Sequence, residues 1–83
     1  MRILIVEDDR ALASGLKRSL ISLGYSVDHE FDAAEAAAHV TRETYSLVIL
    51  DLGLPNGSGY DVLRAIRRSG LHTPVMILTV SPC

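Results

Sequence analysis

Apolar and polar positions along the chain follow two periods in alternation. Residues 2–6, "RILIV", form a short apolar run that the acids "EDD" cut off, which predicts a strand. From Arg10 the period lengthens. Leu12, Leu16, Leu20 and Leu23 stand at i, i+4, i+8 and i+11, one stripe of a helix, with Lys17 and Arg18 beside it. Asp9 suits its N-cap and Gly24 the position just past its end. "YSVDHEF" then alternates, with Tyr25, Val27 and Phe31 on one face and Ser26, Asp28 and Glu30 on the other, as in a short strand near an edge. Asp32 followed by Glu35 has capping-box spacing and opens an Ala-lined helix that carries Val40. "YSLVILDL" is a continuous apolar run, the pattern of a strand buried on both faces. Ser58 and Asp61 start the next helix, with Val62, Leu63 and Ile66 as its core stripe, Arg64, Arg67 and Arg68 as its wet face and Gly70 as its stop. Thr73-Pro74 leads into a last apolar run, "VMILTV".

Strands alternating with helices through short connections predict an α/β fold with a parallel sheet and right-handed crossovers. The functional end of such a sheet is the carboxyl end of its strands. Composition narrows the picture. The 83 residues make one small domain, near the size at which a single core just suffices. Aromatic residues are only 5% of the chain, so the core must be aliphatic. A net charge of −2 with interspersed signs offers no basic face for nucleic acid. The single cysteine, Cys83, excludes an internal disulfide and a cysteine metal site. No run is long enough for a secretory leader or a membrane span, and the expected setting is cytoplasmic.

The acids now matter. Asp51 ends the third strand, Glu7 and Asp8 follow the first, and Thr79 lies near the end of the fourth. A lone aspartate at a strand end is ordinarily a helix cap or an ion-pair member. If strands one and three are neighbours, however, Glu7, Asp8 and Asp51 converge. Like charges that close repel and raise one another's pKa unless a cation neutralises them. An all-oxygen set of this kind suits Mg²⁺, which keeps several waters and accepts a phosphate oxygen. One carboxylate would then be left free to attack an incoming phosphoryl group. The loop after Asp51 carries Pro55, Gly57 and Gly59, suited to turns and close backbone approach.

"ILIVEDD", "VILDLGLPNGSGYDVL" and "PVMILT", in this order and spacing, resemble the receiver domain of two-component response regulators, most nearly the OmpR/PhoB type. The resemblance runs from Met1 to about Thr79. It implies a flavodoxin-like (CheY-like) fold with helices on both faces of a parallel sheet, strand order 2-1-3-4-5 in full. It implies Asp51 as phospho-acceptor, Asp8 as a direct Mg²⁺ ligand and Glu7 as a ligand through water. Gly53 would offer its backbone carbonyl, and Thr79 would be the switch hydroxyl. A sensor histidine kinase would be the donor, in the control of transcription. A full receiver of the family has five strands and five helices, with a lysine at the end of strand five. Residues 1–83 carry four strands (order 2-1-3-4) and three helices, and their only lysine, Lys17, lies in the first helix. The expectation is therefore a receiver truncated at its C-terminus, with "VSPC" foreign to the motif.

Rival readings are set by particular residues. Mg²⁺-dependent phosphatases of the haloacid-dehalogenase type need a second acid two residues after the nucleophile. Leu52 and Gly53 follow Asp51 instead, and the chain is expected not to be an enzyme. The stronger rival is an unphosphorylated fragment that associates with itself or a partner. Without strand five, residues 75–80 would be an unprotected apolar edge, which predicts a homodimer through that strand. His29, His39 and His72 have no ligand-like spacing and read as solvated. Arg64, Arg67 and Arg68 read as a solvated face, and Cys83 as an inactive thiol.

Overall fold

The computed structural model describes residues 1–54 and 57–78. Its elements are β1 (Arg2–Val6), α1 (Arg10–Ser22), β2 (Ser26–Glu30), α2 (Ala33–His39), β3 (Leu47–Asp51), α3 (Gly59–Arg68) and β4 (Val75–Leu78). The four strands form one parallel sheet in the order β2-β1-β3-β4. The flavodoxin-like topology expected from the sequence is present. Pro55, Thr79, Val80 and Cys83 lie outside the described residues.

Why the two central strands lack polar alternation is plain from their two faces. Leu4, Val6, Val48 and Leu50 point to one side and pack with Ala33, Ala36 and Val40 around α2 and with Val62 and Ile66 of α3. Ile3, Ile5 and Ile49 point to the other side, against Ala13, Leu16 and Leu20 of α1 and Tyr25 and Val27. Small alanines on α1 and α2 let the helices sit close to the sheet.

The caps follow the sequence. Asp9 accepts from the Leu12 amide at 3.1 Å, and Asp32 from the Glu35 amide at 2.8 Å. The Ser58 amide donates to Asp61 at 2.9 Å, and Asp61 also pairs with Arg64. Gly24 takes the left-handed conformation after α1, at φ 97°. One stripe needs correction. Leu23 caps α1 rather than extending it and is 72% exposed, and the stripe that packs runs through Ala13, Leu16 and Leu20.

Asp28, on the polar face of β2, finds partners within the fold. Its carboxylate accepts from Tyr45 Oη at 2.6 Å and from Arg2 at 3.0 and 3.2 Å. Beside it His39 Nδ1 lies 2.7 Å from Glu30. The Tyr45 hydroxyl and Arg2 hold Asp28 below the usual carboxylate range, and burial together with Asp28 pushes the Tyr45 phenol up. A depressed native pKa gives stability that is complete above the unfolded value, near 3.9, and lost as pH falls through the native one. Tyr45→Phe should therefore lower unfolding free energy by about 1 kcal/mol at neutral pH. In urea titrations that difference should shrink as the pH falls below about 4. A difference unchanged down to full protonation would contradict the assignment.

Candidate functional site

β1 and β3 are neighbours and end on the same edge of the sheet, with Val6 opposite Leu50. Glu7 and Asp8 follow one strand and Asp51 closes the other, so the chain places all three acids together. One oxygen from each lies within 4.8 Å of the others, the single such cluster among the described residues.

The three carboxylates are not equivalent. Glu7 is buried, and its Oε1 accepts from the Asp9 amide at 3.1 Å. Its Oε2 is buried without a partner among the described residues. Burial raises the Glu7 carboxyl above the usual range, and the charges of Asp51 and Asp8 add to this, while the Asp9 amide opposes it. Asp51 is half-buried, and its Oδ1 accepts from the Gly53 amide at 3.1 Å. Asp8 is exposed at the rim.

Such a site fits a hard divalent cation. A buried carboxylate oxygen with no donor, beside two further acids, is relieved by an ion that takes oxygen ligands. Glu7, Asp8 and Asp51 are the acids that could hold such an ion, directly or through water. The contact that Gly53 makes is through its amide, which fixes the orientation of Asp51.

The loop after Asp51 returns at once. The Gly59 amide donates to the Leu52 carbonyl at 3.0 Å, tying the start of α3 to the end of β3. A Cβ on Gly59 would stand 2.6 Å from the Asp51 carbonyl oxygen and 2.8 Å from Leu52 Cα. Gly57 meets a different demand, a left-handed backbone at φ 122°.

All three histidines were expected to be solvated, and the structure corrects two of them. His29 Nε2 lies 2.8 Å from the Glu7 carbonyl, so it is the donor there, and His39 pairs with Glu30. His72 is exposed. His29 lies in β2 and His39 in α2, and neither local pattern points to partners 22 and 9 residues away in the sequence.

Residues 3–82 match the family of the response regulator receiver domain. The transcriptional regulatory protein DltR of Streptococcus agalactiae is 42% identical over 79 residues. That match covers 95% of this chain and 35% of DltR, so the chain spans about a third of that relative. Among solved structures, the receiver domain of sensor histidine kinase PA1611 from Pseudomonas aeruginosa PAO1 superposes with a TM-score of 0.89 at 33% identity. The superposition covers 96% of this chain and 67% of that one, which has a magnesium ion coordinated in its active-site cleft. A chain of the complex between histidine kinase ThkA and response regulator protein TrrA matches at a TM-score of 0.85 and 34% identity, over 95% of this chain and 68% of that one.

These matches overturn one expectation, that the chain is not an enzyme. Receivers are phosphoryl-accepting signalling domains, and the match to that family removes the ground for a flat exclusion. Leu52 and Gly53 exclude the second acid of a haloacid-dehalogenase site and nothing more. No helix among the described residues is long and apolar enough to cross a membrane.

Proposed function

Because the chain belongs to the response regulator receiver family, we propose that Asp51 accepts a phosphoryl group with the help of a divalent cation, Mg²⁺ in the first instance. The observation that carries this reading is the convergence of Glu7, Asp8 and Asp51, with a buried, unpartnered oxygen on Glu7. A bound Mg²⁺ would supply positive charge between the acids and the incoming phosphoryl oxygens. Asp8 and Asp51 would hold it directly, Glu7 through water, with the Gly53 carbonyl as a further oxygen. Asp51, oriented by the Gly53 amide, would form a bond from a carboxylate oxygen to phosphorus. The bond from phosphorus to the donor's leaving atom breaks, and that atom keeps the electron pair. Thr79 would steady a phosphoryl oxygen through its hydroxyl.

A sensor histidine kinase is the proposed donor, and control of transcription the proposed output. The ThkA–TrrA complex and the naming of DltR as a transcriptional regulatory protein support these for relatives. Residues 1–83 would act as part of one receiver unit. Asp51→Asn should abolish labelling by a small phosphodonor in Mg²⁺, and labelling equal to that of the wild type would refute the assignment.

A second reading, self-association along β4, is favoured by one observation. Met76 and Ile77 are 51% and 45% exposed, although both are large and apolar. They stand opposite Ile49 and Leu50, so they sit on opposite faces of the sheet beside its two cores. Two-fold pairing of β4 with a second copy would be antiparallel and would cover this edge. Light scattering should then give a mass that rises towards a dimer with concentration, and a monomer mass at high micromolar concentration would overturn it.

A further inference from the structure

Given the reading of Glu7, Asp8 and Asp51 as a cation site, on which the idea rests, we propose that His29 is a positioning residue for that site. Its imidazole holds the Glu7 carbonyl, and with it the peptide that leads to Asp8. Glu7 is the first residue past β1. Its amide still donates to the Glu30 carbonyl at 3.1 Å, as along a parallel ladder. Its carbonyl takes a side-chain donor instead, Nε2 of His29 at 2.8 Å. The Glu7 side chain is tied as well, by the Asp9 amide at 3.1 Å.

A peptide unit is planar, so the Glu7 carbonyl, the Asp8 amide and the Asp8 Cα move together. Hydrogen bonds on both sides of Glu7 therefore fix where its carboxylate leaves the chain and where the Asp8 side chain starts. Asp8 needs such a hold, because it is exposed and belongs to no helix or strand. One of its oxygens lies within 4.8 Å of oxygens of Glu7 and Asp51. Metal–ligand distances vary by only about 0.2 Å, so a loose peptide at this point would cost affinity directly.

His29 is itself braced. It is half-buried near the end of β2, two residues on from Val27 and on the same face, which packs with α1. Its ring lies 4.1 Å from the Phe31 ring, and the Arg10 guanidinium carbon lies 4.1 Å from the centre of that same ring. Arg10, Phe31 and His29 thus link the first turn of α1 to the Glu7 carbonyl. A half-buried strand position beside an aromatic ring suits a β-branched or aromatic residue with no donor at all. What histidine adds is the N–H. A carbonyl can only accept, so Nε2 carries the proton and the neutral ring leaves Nδ1 bare.

The test compares donors at one position. His29→Leu keeps an apolar body against Phe31 and drops the donor, whereas His29→Gln puts an amide N–H near where Nε2 stands. Isothermal titration with Mg²⁺ should show His29→Leu about tenfold weaker than the wild type, the lower end of what partners of metal ligands are worth. His29→Gln should recover most of that loss. His29→Asn, its amide one methylene short, should bind like His29→Leu, which guards against a leucine that only disturbs the strand. Independently of the metal, imidazole nitrogen spectra of the ion-free chain should place the His29 proton on Nε2 of the neutral ring. Equal affinities in the wild type and His29→Leu would overturn the proposal. So would a His29→Gln no tighter than His29→Leu, a His29→Asn as tight as His29→Gln, or a proton on Nδ1. Each of these leaves the cation reading intact, whereas a wild type that binds no magnesium would overturn both.

Discussion

Asp8→Asn should cost the chain most of its stabilisation by magnesium. In the wild type, ion binding to the folded site alone adds stability, about 2.7 kcal/mol when the ion is a hundredfold above its Kd. The variant should lose most of that gain. Losing even an outer-sphere partner of a metal ligand costs about 10–100-fold in affinity, and a direct ligand should cost no less. Without the ion the sign changes. Removing one of three clustered charges relieves repulsion on Glu7 and Asp51, so the metal-free variant should melt no lower than the wild type. Thermal melts with and without Mg²⁺, beside isothermal titration, separate the two effects. Equal magnesium affinities in the two proteins would remove Asp8 from the site.

Gly59→Ala should be among the most damaging single-methyl additions to the chain. An alanine Cβ would meet the Asp51 carbonyl oxygen at 2.6 Å and Leu52 Cα at 2.8 Å. Both are backbone atoms at the end of a buried strand, so no side chain can swing away. Relief requires the start of α3 to move off β3, stretching the Gly59 amide from the Leu52 carbonyl. Overpacking of this sort costs about 1–3 kcal/mol. A domain of this size has only about 4–12 kcal/mol in hand. The urea midpoint should fall, and magnesium affinity with it, because the displaced backbone carries Asp51. Gly15→Ala is the control, since a Cβ there meets nothing within 4 Å. Equal midpoints for Gly59→Ala and the wild type would show that the contact is not tight.

How much of this was legible beforehand depends on what each residue answers to. Local period and caps placed α1 to within its last turn, because Asp9 and Gly24 are signals carried by neighbours in the chain. The acid cluster was legible too, since parallel order alone sends Glu7, Asp8 and Asp51 to one edge. Gly59 was read with its loop as suited to turns and close backbone approach, and the approach is real, but the carbonyl that demands it is set by the fold and not by the local pattern. The Asp28–Tyr45 bond joins residues 17 apart, and nothing in the alternation of β2 marks which of its polar side chains will find a partner. Leu23 failed for a related reason. A periodic stripe does not say where the surface it packs on ends.

The central claim is that a carboxylate oxygen of Asp51 forms the new bond to phosphorus, and one measurement meets it head on. The chain is incubated with Mg²⁺ and a small phosphodonor, its mass is read intact, and the modified residue is located by peptide mapping. The account predicts a single phosphoryl group on Asp51, dependent on Mg²⁺ and missing from Asp51→Asn. A phosphoryl group on any other residue, or none on the wild type with magnesium bound, would contradict it.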